Sequence, residues 1–371
     1  MDETADRFHI GVDIGGTFTD TALLESATGR FWSGKQLTTP DDPSDAVVSS
    51  VEAILAEAGI RAGQIDRFLH ATTLATNALI ERKGARTALV TTAGFRDVLE
   101  IRDEGRYDLF DLNLELPAPL VPRSLRFEVT ERISADGAII TPFDMASAEA
   151  LVARLRAAEV ESIAVTLLHS YRNPDHEIAL RDYLRAQLPS VHISISADVA
   201  PELREFQRTS TTVANAYLQP LVEHYLDRLR DRVRALGVPA EVLMMLSSGG
   251  VCTLDEAKAL PVRLVESGPA AGAILASAAG HLVSRPSLSS FDMGGTTAKS
   301  CVIIDGEPRK AQEFEVARVW RFKKGSGFPL RTPVIELLEI GAGGGSIAHV
   351  NALGTLDIGP ESAGAERKSV V

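Results

Sequence analysis

Two stretches of the chain repeat the same residue types at the same spacing. Asp13, Gly15, Gly16 and Thr17 lie in GVDIGGTFTD, and Asp292, Gly294, Gly295 and Thr296 lie in SFDMGGTTAK. Each has an aspartate near the end of an apolar run, then two glycines, then a hydroxyl. The amides of a tight glycine turn point into a common concavity that suits phosphate oxygens, and a side chain at either glycine would hold the phosphate away. Threonine hydroxyls beside the turn can donate to phosphate, and an aspartate entering it can hold a hydrated Mg²⁺ or orient a nucleophile. A plain hairpin explains one glycine pair, through positive φ angles at the turn. It does not explain the aspartate and threonine in both copies, so two similar halves are expected.

Other stretches carry weaker signals. RLVESGPAAGAILASAAG reads as a strand ending at Val265 and a small-residue helix opening at Pro269. A helix start behind the Ser267-Gly268 turn is an anion site by geometry. Capping by Ser267 and close packing of Ala and Gly explain it equally well. EIGAGGGSIAHV clusters glycines between Gly341 and Gly345, where the backbone must bend sharply or approach something closely. Its place after the second turn favours a nucleotide contact through Gly343 and Gly344. His70, Thr72, Thr73, Thr76, Asn77 and Arg82 surround a strand end and the helix after it, where α/β proteins place ligands. The residues alone favour Thr72 or Thr73 as a cap and His70 as a hydrogen-bonded interior group. In SYRNPDHEIAL, Asn173 caps a helix and Asp175 and Glu177 complement its dipole. Glu202, Arg204, Glu205 and Arg208 read as a solvated ion-pair face.

The elements that must position these residues follow from periodicity. FHIGVDIGGTFTDTALLES predicts two strands with a turn at Gly15-Gly16, and GRFWSGKQLTT a third. SDAVVSSVEAILAEAGI predicts a helix stopping at Gly59, RFLHATT a strand, LATNALIERKG a helix closed by Gly84, and ARTALVTTAG a buried strand. A helix-strand-helix-strand run follows, then a long helical pattern from Ala214, and strand-helix alternation resumes near AEVLMMLSSGG. This is the build of an α/β protein. The division expected is residues 1–200 and 201–371, each with one glycine turn.

At 371 residues, with 45% hydrophobic and 24% charged residues, the chain should bury a substantial core. A net charge of −12 argues against a nucleic-acid partner. Two cysteines, Cys252 and Cys301, are too few for a disulfide scaffold. The acidic start does not resemble a signal peptide, and no apolar run reaches membrane-spanning length, so a cytoplasmic protein without a membrane role is expected.

The paired turns resemble the phosphate loops of the actin, sugar kinase and Hsp70 superfamily. GVDIGGTFTD, HATTLATNALIERKGARTALVTTAGFRDVLEI, SYRNPDHE, SSGGV, ESGPAAGA, DMGGTTAKS and IELLEIGAGGGSIAHV together resemble the A subunit of the hydantoinase/oxoprolinase family. That resemblance implies an actin-like ATPase fold with two related lobes. It also implies ATP and Mg²⁺, a cyclic amide or a ketone as substrate, a B-type partner subunit, and an oligomer. Phosphoryl transfer to a substrate oxygen is the implied chemistry, as hydantoin or 5-oxoproline hydrolysis or as ketone carboxylation; a non-catalytic chain that only binds partners is the third reading. Gly15, Gly16, Gly294 and Gly295 would cradle phosphates, and Thr17, Thr19, Thr296 and Thr297 would donate to them. Ser267, Gly268 and Asp20 join the nucleotide contacts. Asp13 and Asp292 would serve catalysis and Mg²⁺, and His70 and Arg102 would touch substrate. Where the family continues past GPESAGA, this chain reads ERKSVV, so an incomplete second lobe is expected, with Ile347, Val350, Leu356 and Ile358 partly uncovered.

Overall fold

The computed structural model describes residues 7–39, 42–295, 297–320, 323–340, 342–351 and 354–362. Strands β1 (Phe8–Ile14), β2 (Phe18–Glu25) and β3 (Phe31–Leu37) form an antiparallel meander. Helix α1 (Pro43–Ala58) follows, with Pro43 in the first turn, Asp42 accepting from the Ser44 amide, and Gly59 leaving at φ 69°. Strand β4 (Ile65–Thr72) returns parallel to β1, and α2 (Leu74–Ile80) comes next.

The chain then leaves this sheet and builds another. Strands β5 (Thr87–Thr92), β6 (Arg126–Val129), β7 (Ser162–Thr166) and β8 (His192–Ile195) are parallel, in the order β8-β7-β5-β6. Every residue of β5 and β7 is buried, as expected of parallel strands covered on both faces. Helices α3 (Met145–Ala157) and α4 (Asp175–Gln187) pack Leu151, Leu155, Leu180 and Leu184 into the same core.

Helix α5 (Glu205–Ala235) joins the two sheets. Val213 and Ala216 belong to the core of the second sheet, while Leu218, Val222, Leu226 and Leu229 belong to that of the first. After it, β9 (Val242–Met245) pairs with β4 and β10 (Val251–Thr253) pairs with β9, completing a six-stranded sheet β10-β9-β4-β1-β2-β3. Residues on both sides of position 200 therefore build one sheet, and the division at 200 does not separate two spatial units. Helix α6 (Ser267–Leu282) leads to the hairpin β11 (Leu288–Met293) and β12 (Ala298–Ile304), to which β13 (Leu338–Ile340) adds. A last hairpin, β14 (Ser346–Val350) and β15 (Leu356–Ser362), exposes Ile347, Val350, Leu356 and Ile358. Among the described residues no helix is long and apolar enough to cross a membrane.

Three local expectations fail for physical reasons. Helix α5 starts at Glu205, well before Ala214, because the hydroxyls of Thr211 and Thr212 donate to the carbonyls of Gln207 and Arg208 and so can be buried. Arg208 is not on a solvated face: it is 1% exposed and donates to the Leu167 carbonyl at 2.8 Å. Pro261–Leu264 is a 3₁₀ turn rather than a strand ending at Val265.

Gly84 does not close α2, which ends at Ile80. Its lack of a side chain serves packing instead: a Cβ there would lie 2.1 Å from Tyr217 Cε1, on a ring that is 6% exposed. Gly84→Ala should destabilise the chain by about 1–3 kcal/mol, as overpacking of a filled core does. Urea unfolding should show a lower midpoint with an unchanged slope, and an unchanged midpoint would show that the ring yields freely.

Candidate functional site

The two glycine turns close in the same way. The Gly15 amide donates to the Phe18 carbonyl at 2.9 Å, and the Gly294 amide donates to the Thr297 carbonyl at 2.9 Å. Gly15, Gly16 and Gly294 are not among the glycines with positive φ, so left-handed freedom is not what these turns require. Closeness is, at Gly15, where a Cβ would lie 3.1 Å from the Phe18 carbonyl oxygen; a Cβ on Gly16 or Gly294 would make only ordinary contact, 3.7 Å from Asn77 Nδ2 and from the Thr297 carbonyl oxygen. The Thr17 carbonyl accepts from the Thr38 amide at 3.0 Å, fixing the turn to the end of β3. Thr297 ends the second turn, and Thr296 lies outside the described residues.

Strand register decides which side chains reach the space beside the turns. Asp13 faces Asp20 directly across β1 and β2, and Asp20 faces Lys35 across β2 and β3. Asp20 is already paired, with Lys35 Nζ 2.6 Å from its carboxylate. Asp13 is not: its Oδ1 is buried without a hydrogen-bond partner. Burial, then the charges of Asp20 and Asp292, push the Asp13 carboxyl up to about 6, with Lys35 opposing.

Alternation along a strand sends Val12, with its partners Thr21 and His70, to the opposite face from Asp13. Thr19 lies on that core face too; it is fully buried, and its hydroxyl meets Thr38 Oγ1 at 3.1 Å. Thr38 in turn donates to the Gly15 carbonyl at 3.0 Å, so Thr19 braces the turn from beneath rather than facing a ligand beside Asp13. His70 is 1% exposed, between the Val12 carbonyl at 3.0 Å and the Tyr225 hydroxyl at 2.6 Å. Burial lowers its pKa to about 4, which keeps it neutral, and its place in the core removes it from the substrate-contact role.

The start of α6 meets both hairpins. A Cβ on Gly268 would lie 2.8 Å from Asp13 Oδ1, so the backbone of the first helical turn lies against that carboxylate. The Ser267 hydroxyl is fully buried and bonds the Thr72 amide and carbonyl at 3.4 and 3.3 Å, which anchors the helix to β4 and turns the hydroxyl away from a phosphate. Glu266 has a left-handed backbone, φ 69°, its amide donates to Thr76 Oγ1 at 3.0 Å, and its carboxylate pairs with Lys299. Lys299 stands directly opposite Asp292 on the second hairpin. The glycine-rich loop is also committed to that hairpin: Gly344 and Gly345 amides donate to the Gly294 and Gly295 carbonyls at 2.9 and 2.7 Å, and the Gly343 amide donates to Ser346 Oγ at 2.8 Å.

Residues 9–188 match the family profile described as hydantoinase/oxoprolinase N-terminal region, and residues 208–370 match the one described as hydantoinase/oxoprolinase. The chain belongs to the hydantoinase/oxoprolinase family. An uncharacterized protein of Methanocaldococcus jannaschii is 40% identical over 97% of this chain and 53% of its own length. Caprolactamase subunit alpha of Pseudomonas jessenii is 34% identical over 97% of this chain and 51% of its own. The nucleotide-free structure of acetone carboxylase superposes with a TM-score of 0.83 at 27% identity, over 97% of this chain and 51% of that one. The chain spans about half the length of these relatives. Its fold is the actin-like, sugar kinase/Hsp70-type ATPase fold.

Of the residues singled out in the sequence, the structure brings Asp13 together with Asp20, Gly268 and Asp292, and Asp13 and Asp292 are each separated by one residue from their own glycine pair. It leaves out Arg102, whose guanidinium donates to the Pro117 carbonyl in a loop of the second sheet. Thr76 and Asn77, from the strand-end cluster named in the sequence, do come beside this group: Thr76 holds the Glu266 amide and Asn77 lies next to Gly16. Glu266 and Lys299 escaped the sequence reading. Lys299 was accessible to it: once Gly294 and Thr297 close the turn, counting outward pairs Asp292 with Lys299. Glu266 had no such signal, since its role depends on where β12 lies in space.

The ionisation of Asp13 has a measurable sign. The folded chain keeps this proton up to about pH 6, while the unfolded chain releases it near 3.8. Above both values the buried charge costs the folded state at most about 3 kcal/mol, and lowering pH from 7 toward 4 removes that cost. Asp13→Asn should therefore stabilise the ligand-free chain at pH 7, give no gain at pH 3.5, and flatten the slope between. Denaturant unfolding at several pH values checks this; equal stability of the two chains at pH 7 would show that Asp13 carries no such cost.

Proposed function

We propose that the paired hairpins hold one Mg-nucleotide and that the chain is the nucleotide-binding subunit of an ATP-dependent enzyme opening a cyclic amide. The observation that carries this reading is Asp13: a buried carboxylate oxygen without a hydrogen-bond partner, set against the first turn of α6 and near Asp292. Such an oxygen fits a hydrated cation. Among the described residues no three His, Cys, Asp or Glu side chains group as metal ligands, so Asp13 and Asp292 would hold Mg²⁺ through water and the nucleotide's own oxygens. Gly15, Gly16, Gly294 and Gly295 would let phosphate approach the backbone, with Thr17 and Thr297 beside them and the α6 amides adding positive potential. When bound, Mg-ATP would supply a phosphoryl group to the carbonyl oxygen of a lactam or imide, making the ring carbon open to water. The chain's own part is to orient the phosphates and to offset their charge.

Similarity to a caprolactamase subunit supports the cyclic amide, with hydantoins and 5-oxoproline in the same chemical class. Similarity to acetone carboxylase supports a second reading, ATP-dependent carboxylation of a ketone by the same hairpins. A B-type hydantoinase/oxoprolinase subunit is the proposed partner, in keeping with a relative named as a subunit.

A substrate-stimulated ATPase assay with and without that partner separates the two readings. Stimulation by caprolactam, hydantoins or 5-oxoproline is expected, whereas stimulation by acetone or acetophenone alone would select the carboxylase. Asp292→Asn should lower turnover by a factor of about 100 or more with nucleotide still bound, because positioning and charge make up most of phosphoryl-transfer catalysis. Gly295→Val should instead weaken nucleotide binding itself. Wild-type turnover in the first variant, or unchanged calorimetric affinity in the second, would remove that residue from the site.

A further inference from the structure

The segment YDLFDLNLEL, residues 107–116, presents apolar side chains to solvent on a braced backbone. Phe110 is 92% exposed, Leu112 91% and Leu109 73%. Singly exposed apolar residues are ordinary, but three within four positions on one loop are not. The loop is braced at several points. The Tyr107 hydroxyl donates to the Glu115 carbonyl at 2.6 Å, and Arg106 donates to the Asp111 carbonyl. The Asp108 carboxylate accepts from the Phe110 amide at 3.1 Å and pairs with Lys323, while Asp111 accepts from the Asn113 amide at 2.9 Å. Behind the tip, Arg102 holds the Pro117 carbonyl and Arg82 holds that of Ala118 at 2.6 Å. Arginines around this loop spend their donors on its backbone, and its apolar residues face outward.

We propose that this loop is the docking surface for a different subunit, one offering an apolar cleft edged by lysine or arginine. The inference rests on the partner reading given above and assigns it a place. Charge complementarity sets the partner's chemistry: Glu104, Asp111 and Glu115 lie in or beside the loop and make no ion pair among the described residues, and residues 102–116 hold five carboxylates against the two guanidinium groups of Arg102 and Arg106. A second copy would bring the same carboxylates face to face, on a chain whose net charge is already −12. Phe110 is the anchor, since a rigid aromatic ring entering a desolvated pocket is the usual centre of a binding surface. The loop's internal hydrogen bonds lower the ordering cost of binding.

The test uses the full chain and the separately purified B-type hydantoinase/oxoprolinase subunit from the same source, with affinity read by calorimetry. The double variant Phe110→Ser/Leu112→Ser should bind that subunit about 100-fold more weakly, with thermal midpoint and nucleotide affinity unchanged. Asp111→Lys/Glu115→Lys should also weaken binding, and the loss should shrink at high salt. Equal affinity of wild type and the double variant would overturn the surface while leaving the partner reading intact. Failure of the wild type to bind would overturn both. Wild-type dimerisation in sedimentation that the double variant abolishes would assign the loop to a second copy, and would overturn the proposal as well.

Discussion

A single carboxylate oxygen sets the terms for the rest of the site. Asp13 Oδ1 is buried without a hydrogen-bond partner, faces another carboxylate across the strand pair, and has the first turn of α6 against it. Isolated buried charge is among the costliest arrangements a protein can hold. The fold tolerates it because β1 is central: β2 and β4 lock its register on either side, and Ile10, Val12 and Ile14 fill the core beneath. The strain is local, and the core that offsets it is large.

The same centrality explains what was legible in the sequence. Both hairpins and their matching closure could be read from residue type and spacing, because a short glycine turn is a local object. Asp13 and Asp292 followed from their distance to those turns. Thr19 did not, since its side of the sheet depends on register with another strand, and one residue of parity reverses it. The residues alone had favoured the hydrogen-bonded interior place that His70 takes, and only the resemblance had sent it to the substrate. Gly84 looked like a helix stop but makes room for Tyr217, a residue far along the chain. Buried Arg208 looked like surface because its partner, the Leu167 carbonyl, belongs to a different element. Local chemistry was readable, and non-local packing was not.

Glu266 shows how the hairpins are tied. A non-glycine residue in a left-handed conformation costs about 1 kcal/mol or more, so its surroundings must hold it there. Thr76 holds its amide, Lys299 holds its carboxylate, and the neighbouring Ser267 is pinned to Thr72. Through this one residue the hairpin that carries Asp292 is linked, by its second strand, to the helix that abuts Asp13. The ion pair is mostly shielded from water, so removing either member would leave a poorly compensated charge. Movement of one hairpin against the other must strain this link.

The six-stranded sheet also has a history on the ribosome. Strand β9 pairs with β4, yet Val242 and Phe68 are about 170 residues apart in the chain. At roughly 5–20 residues per second, β4 waits on the order of 10–30 s for its neighbour to be synthesised. The β8-β7-β5-β6 layer is translated completely in that interval and can fold first. Meanwhile the open side of β4, carrying Phe68 and Leu69, is an unpaired strand edge of the kind that recruits other chains. Nascent-chain vulnerability is thus concentrated on the strand that later lies at the centre of the finished sheet.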